Sequence, residues 1–215
     1  MEEVRKNVES VRREFNFGSL DLSDVPNNPI EIMEQWLADA IAKQEKDPNA
    51  FVLSTVKDGM PDSRVVLLRD FTEHGLTFFT NYQSKKGNDL LDNQLVAVNF
   101  YWIDLDRQVR IQGKVTKVDP QVSDDYFNSR PRSSQIGAWA SNQSSVIESR
   151  GTIEERVAEL EKKFEGKAVP RPDHWGGYLI TPINYEFWQG RASRLHDRLA
   201  FHQEEGSWVV NRLAP

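Results

Sequence analysis

The spacing of apolar and polar positions changes several times along the chain, and each change marks an element. Val4, Val8, Val11 and Phe15 fall at helical spacing, so 1–16 is expected to form a short charged helix. A loop rich in Asp, Ser, Asn and Pro covers 18–28. Asn28-Pro29 then opens a helix with a capping side chain and a proline at its first position. Its apolar face is Ile30, Met33, Trp36, Leu37, Ala40 and Ile41, and Asp47-Pro48 ends it. From Ala50 the pattern becomes that of strands, at 50–56, 63–71, 76–82, 95–102 and 107–118, joined by short turns such as Lys57-Asp58-Gly59. Helical spacing returns at 120–129 and 134–141, separated by Arg130-Pro131-Arg132. A capping box at Thr152–Glu155 starts a further helix with Ile153, Val157, Leu160 and Phe164 as its buried stripe. After a proline-bearing linker (166–173), strands are expected at 176–182 and 184–190. A last hairpin follows, with strands at 198–203 and 207–213 that turn at Glu204-Glu205-Gly206.

Closely spaced strands before and after a helical block predict a mainly β protein with helices (α+β), an antiparallel barrel or meander in one domain over 1–215. Its parts are an N-terminal helix and loop segment (1–28), a helical insert (120–165) and C-terminal strands (176–215).

Composition narrows the chemistry. The net charge of -6 makes nucleic acid or an anionic membrane an unexpected general partner, so basic clusters in this chain point to small anions. Zero cysteines exclude disulfides, thiolate metal sites and cysteine nucleophiles. No apolar run reaches the ~20 residues that span a bilayer, and MEEVRKNVES carries no apolar signal core, so a cytoplasmic protein is expected. The histidines, His74, His174, His196 and His202, show no metal-ligand spacing, and no metal is expected. Neither a P-loop, a GxGxxG nor a GxSxG is present.

Several polar clusters remain. If 194–198 (RLHDR) is a strand, Arg194, His196 and Arg198 share one face as a cationic row for a planar anion, and Leu195 points into packing. Arg64 and Arg69 bracket VVLL, five apart, and would face opposite sides of a regular strand unless a bulge intervenes. Ser84-Lys85-Lys86-Gly87 precedes an expected helix at 88–93, where backbone N–H groups and two ammoniums suit a phosphate. Tyr126 and Arg130 stand four apart, and Ser134 is placed to cap the next helix, which makes a second phosphate seat. Gln143, Ser144 and Gln108 offer hydrogen bonds to a heterocycle edge, and Trp188 offers an apolar wall. A phosphorylated cofactor beside a phosphorylated substrate accounts for these features together.

The runs RVVLLR (64–69), FFTNYQSKKG (78–87), RQVRIQG (107–113), YFNSRPRSSQIGAWAS (126–141), NQSSVI (142–147), WGGY (175–178), EFWQG (186–190), RLHDR (194–198) and RLAP (212–215) resemble the pyridoxine/pyridoxamine 5′-phosphate oxidase family. The similarity extends from about residue 11 to Pro215. It implies an FMN-binding split β-barrel homodimer with the flavin at the subunit interface. It also implies oxidation of pyridoxine 5′-phosphate or pyridoxamine 5′-phosphate to pyridoxal 5′-phosphate, with O2 as acceptor and peroxide as product.

By motif, the resemblance assigns Arg64, Val65, Val66, Leu67, Leu68, Arg69, Phe79, Thr80, Lys85, Lys86, Gln108, Gln143, Ser144, Trp188 and Arg198 to FMN. It assigns Arg69, Tyr126, Arg130 and Ser134 to the substrate phosphate. Arg194, Leu195 and His196 meet the rest of the substrate, with Arg194 and His196 as the catalytic pair, and Arg12, Arg13, Glu14 and Phe15 close over the site. Arg69 stands where the family more often has lysine, and Phe15 where tyrosine is common. The rival readings are a non-catalytic flavin or pyridoxal-phosphate carrier on the same barrel, and a split-barrel reductase using nicotinamide or deazaflavin. The reductase would have no use for Tyr126, Arg130 and Ser134.

Overall fold

Asn28 caps the second helix as its sequence predicts, its side-chain oxygen accepting from the Ile30 N–H at 3.2 Å, with Pro29 at the first position. The computed structural model describes residues 2–10, 12–15 and 18–215. Among them are six α-helices: α1 (Glu2–Ser10), α2 (Pro29–Ala42), α3 (Lys85–Asp92), α4 (Pro120–Ser129), α5 (Arg132–Ala140) and α6 (Arg150–Lys163). The nine strands are β1 (Ala50–Lys57), β2 (Met60–Leu67), β3 (Asp70–Thr72), β4 (Gly75–Asn81), β5 (Leu95–Trp102), β6 (Arg107–Lys117), β7 (Trp175–Gln189), β8 (Asp197–Glu204) and β9 (Ser207–Leu213). The hydrogen-bonded order is the open path β2-β1-β5-β6-β7-β4-β3, with β8 on β7 and β9 on β8. This is the α+β, antiparallel architecture expected from the pattern.

Several boundaries differ from expectation, each for a local reason. The first helix stops at Ser10 with Val4 and Val8 exposed at 64% and 69%; Phe15 lies beyond it, and Val11 lies outside the described residues. Helix α2 ends at Ala42, before Gln44 turns the backbone to φ 62; within it Ile41 is exposed, and Ile32 is buried with Met33, Trp36, Leu37 and Ala40. Helix α6 starts at Arg150 after Ser149, which puts Thr152 inside the first turn, where it caps nothing. The two strands expected around 176–190 are one strand, β7.

The chain's contacts divide into two compact units, one made of 1–48, 99–110 and 184–215, the other of 49–98 and 111–183. In the first, Trp36 of α2 meets Phe187 edge-on at 5.3 Å, and the Arg107 guanidinium lies 4.5 Å over Trp36 while pairing with Asp39. The β8–β9 hairpin turns through Glu205 (φ 50) and Gly206 (φ 82), left-handed positions that suit a two-residue hairpin loop. In the second unit the β1–β2 hairpin turns in the same way at Asp58 and Gly59, and β1 buries Phe51, Leu53 and Thr55. The helices α4, α5 and α6 close on Phe127, Ile136, Phe164, Val169 and Trp175, with Val157 and Leu160 packed against that cluster.

Candidate functional site

The second unit contains a cavity of about 900 Å³. Among the described residues five cations line it (Arg64, Arg69, Lys85, Lys86, Arg130) against one carboxylate, Asp62. A volume of this size takes a drug- or cofactor-sized ligand, and the charge selects an anion. The chain brings Arg64 and Arg69 to the same space by interrupting the expected strand. β2 ends at Leu67, the Leu68 N–H donates to the Asn49 carbonyl at 2.8 Å, and the Arg69 N–H donates to Thr77 at 2.9 Å before β3 begins. Val65, Val66 and Leu67 line the cavity, whereas the Leu68 side chain is buried and does not.

One cationic group gathers at the start of α3. Ser84 caps this helix, its hydroxyl accepting from the Gly87 N–H at 3.3 Å, so the helix begins at Lys85 and not at Asn88 as expected. Any side chain at Gly87 would overlap the Tyr82 carbonyl, so this turn packs tightly only with glycine. Lys86 is buried and directs its ammonium to the Thr80 hydroxyl (3.2 Å), the Ser84 hydroxyl (3.3 Å) and the Gln143 amide oxygen (3.1 Å). No carboxylate among the described residues pairs with it; burial, then the Arg64 charge, pulls its pKa below the ordinary lysine value. Arg64 and Lys85, by contrast, are held by Asp62 and by Asp89 behind them.

The other group is built on an aromatic stack. Phe79 lies parallel to Tyr126 at 4.0 Å and to Trp175 at 5.6 Å. The Arg130 guanidinium sits 4.5 Å over the Trp175 ring, and Arg69 sits 5.8 Å over Tyr126. Arg130 Nη1 is buried with no hydrogen-bond partner among the described residues. An unpartnered buried guanidinium donor is costly, and an anionic oxygen would satisfy it. Burial, followed by the Arg69 charge, lowers the Arg130 pKa against the opposing pull of Tyr126. Ser134 reaches the same cavity, though not as a cap: α5 starts at Arg132 after Pro131, which leaves Ser134 within the helix. The cavity thus unites Tyr126, Arg130 and Ser134 with Arg69, and Lys86 with Thr80, Gln143 and Ser144.

The first unit holds the RLHDR segment, and the expected strand face is not formed. Residues 192–194 are a tight 3-10 turn, Ser193 and Arg194 have φ of 56 and 60, and β8 starts only at Asp197. Five alternating residue types fit a turn as well as a strand, so the alternation misled. Leu195, expected in packing, is 68% exposed. The imidazole of His196 lies 4.5 Å from the Trp188 ring, and Phe15 meets both edge-on at 5.1 and 5.7 Å. His196 Nδ1 accepts from the Arg191 backbone N–H at 3.1 Å, which leaves the ring proton on Nε2. Burial and then Arg194 lower the His196 pKa, with Asp106 opposing. Arg198 is engaged by Glu186 at 2.8 Å, a carboxylate shared with Arg110, and donates to the Ala214 carbonyl. Gln108 is half-buried on β6. Arg12 and Glu14 are exposed, whereas Arg13 binds Asp106 (2.8 Å), the Tyr101 hydroxyl and the Ile103 carbonyl. Sequence reasoning missed Trp175, Asp62, Asp89 and Asp106, because nothing in their spacing marks them.

Comparison with known proteins bears on both units. Residues 37–164 match the family model described as pyridoxamine 5′-phosphate oxidase, and 175–215 match that of the pyridoxine 5′-phosphate oxidase C-terminal dimerisation region. A pyridoxine/pyridoxamine 5′-phosphate oxidase of Nostoc punctiforme is 48% identical over 212 residues, covering 98% of this chain and 99% of that protein. One of Christiangramia forsetii is 49% identical over 215 residues, covering 99% and 100%. The solved structure of PhzG from Burkholderia lata, in complex with tetrahydrophenazine-1-carboxylic acid, aligns with a TM-score of 0.85 at 30% identity over 92% of this chain and 100% of that one. A pyridoxamine 5′-phosphate oxidase-related, FMN-binding protein from Nostoc punctiforme aligns at 0.69 with 15% identity over 89% and 100%, a likeness of fold.

Proposed function

Because the chain belongs to the pyridoxine/pyridoxamine 5′-phosphate oxidase family and is an FMN-dependent oxidase of that class, we propose that its cationic cavity seats both phosphates of the reaction. The net reactions are pyridoxine 5′-phosphate plus O2 to pyridoxal 5′-phosphate plus H2O2, and pyridoxamine 5′-phosphate plus O2 plus water to the same products plus ammonia. FMN, when bound, supplies the two-electron acceptor and returns those electrons to O2. The observation that carries the proposal is the donor set. Among the described residues Arg130 Nη1 is buried without a hydrogen-bond partner and Lys86 is buried without a paired carboxylate, and both line one cavity.

Lys86, with Arg64, Lys85, Thr80, Gln143 and Ser144, is assigned to FMN, and the 65–69 backbone and Phe79 flank it. Arg130, with Arg69, Tyr126 and Ser134, is assigned to the substrate phosphate, where a bidentate guanidinium fixes both position and orientation. Gln108, Trp188 and Arg198 are assigned to the flavin as well. His196 is neutral at pH 7 and offers its Nε2–H to the oxygen substituent of the pyridine ring, while Arg194 supplies charge beside it. Arg12, Arg13, Glu14 and Phe15 cover the substrate, and Leu195 borders it.

The chain works in this reading as one FMN-binding domain over 1–215 and as a homodimer with FMN at the subunit interface, in keeping with the dimerisation region matched at 175–215. A cytoplasmic setting completes the proposal; among the described residues no helix is long and apolar enough to cross a membrane. The test is to purify the protein yellow, add pyridoxine 5′-phosphate and follow peroxide against pyridoxal 5′-phosphate. One peroxide per aldehyde is expected. Binding without peroxide would return the protein to the carrier reading.

A further inference from the structure

Behind the cations at the start of α3 lies a carboxylate that does not itself line the cavity. Asp89 is 2% exposed, one turn into α3 and directly beneath Lys85. Its Oδ2 accepts from the Thr55 hydroxyl at 2.8 Å and lies 3.2 Å from the Lys85 ammonium and 3.8 Å from Arg64 Nη2. Thr55, fully buried on β1, also accepts from Arg64 Nη1 at 2.9 Å, and the same nitrogen donates to the Leu53 carbonyl at 3.2 Å. Asp62 closes the ring from the solvent side, 2.8 Å from Arg64 and 2.9 Å from Lys85.

We propose that Asp89, acting on Lys85 directly and on Arg64 through Thr55, is a positioning residue that aims both cations at the phosphate of FMN and so sets the preference for the phosphorylated flavin. The inference rests on the assignment of these two cations to FMN. Two long side chains lining an open cavity would otherwise lose rotamer freedom when a phosphate arrives, and fixing them beforehand removes that cost from binding. A buried carboxylate also has to be ionised to do this. Burial works against the charged form, but the Thr55 hydrogen bond and the Lys85 and Arg64 charges outweigh it, and the Asp89 pKa falls below the usual carboxylate range. Asp62, half-exposed, is left as the outer partner that a ligand phosphate competes with for both cations.

The test compares two flavins that differ only in the phosphate. Full-length protein stripped of flavin is titrated with FMN and, separately, with riboflavin, following flavin fluorescence. The wild type is expected to favour FMN strongly, Asp89→Asn to weaken FMN by about tenfold or more, and riboflavin affinity to stay within about twofold. Thr55→Val removes the link while keeping the shape, and the same FMN-selective loss is expected at smaller size. It decides the matter alone if Asp89→Asn does not fold. Equal weakening of both flavins, or unchanged FMN affinity in the folded variants, overturns the proposal, the former reducing Asp89 to a fold-stabilising role. A wild type that binds riboflavin as well as FMN overturns the phosphate assignment itself, an outcome distinct from a wild-type preference that the variants leave intact.

Discussion

The Lys86 ammonium lies 3.1 Å from the Gln143 amide oxygen, joining the first turn of α3 to the 141–145 loop. A neutral acceptor solvates the ammonium only in part, which is why burial lowers its pKa from 10.5. In the flavin-free protein the folded chain holds fewer protons than the unfolded chain between that lowered pKa and 10.5, so stability rises with pH across this window. A flavin phosphate raises the pKa again, so binding takes up a proton there. FMN affinity is therefore expected to fall as pH climbs through the lowered Lys86 pKa. Lys86→Met is expected to abolish that slope and to weaken FMN roughly ten- to hundredfold, the range for a charge-assisted hydrogen bond. Titrations of both proteins across alkaline pH check it.

His196 gives a prediction of the same linkage sign at lower pH. Its folded pKa lies below 6.5, so the contribution of the neutral ring is complete above that value and is lost as pH falls through the folded pKa. The acid limb of kcat/KM is expected below the ordinary histidine value. His196→Asn, which keeps a neutral donor, is expected to erase the limb and lower kcat/KM by about tenfold or more. A pH–rate profile that keeps its acid limb in the variant would assign the limb to another group.

Gly190 sets how closely Phe15 approaches. A Cβ there would lie 2.7 Å from the Phe15 ring and 2.9 Å from the Asp106 Cβ. Gly190→Ala is expected to cost about 1–3 kcal/mol and to lift Phe15 off Trp188 and His196, since overpacking displaces whatever yields first. Denaturant unfolding measures the cost. Adding Phe15→Ala is expected to recover part of it, and a strictly additive loss would show that the crowding lies elsewhere.

How much of this was legible in the sequence depends on how far apart in the chain each relationship lies. Helix α2 was readable because Asn28-Pro29 and its apolar face are local, and the β1–β2 and β8–β9 turns because Asp58-Gly59 and Glu205-Gly206 supply left-handed residues. Tyr126, Arg130 and Ser134 do reach one cavity, though not by the expected helical spacing, since Arg130 is the extended residue that ends α4 and Ser134 lies inside α5. The RLHDR segment was not readable, because the φ of 56 and 60 at Ser193 and Arg194 belongs to a turn that alternation of residue types does not reveal. Arg64 and Arg69 could not be placed together until the break at Leu68 was seen, a break fixed by Asn49, nineteen residues away. Trp175 and Asp89 acquire their roles only through partners tens of residues distant.

The division of the cavity between two phosphates is tested most directly by anaerobic reduction of flavin-loaded Arg130→Ala with pyridoxine 5′-phosphate, its observed rate followed against substrate concentration. The account predicts normal flavin content, a limiting rate within a few-fold of wild type, and a half-saturating concentration raised about ten- to hundredfold. A variant that saturates like the wild type, or that emerges from purification without flavin, would contradict it.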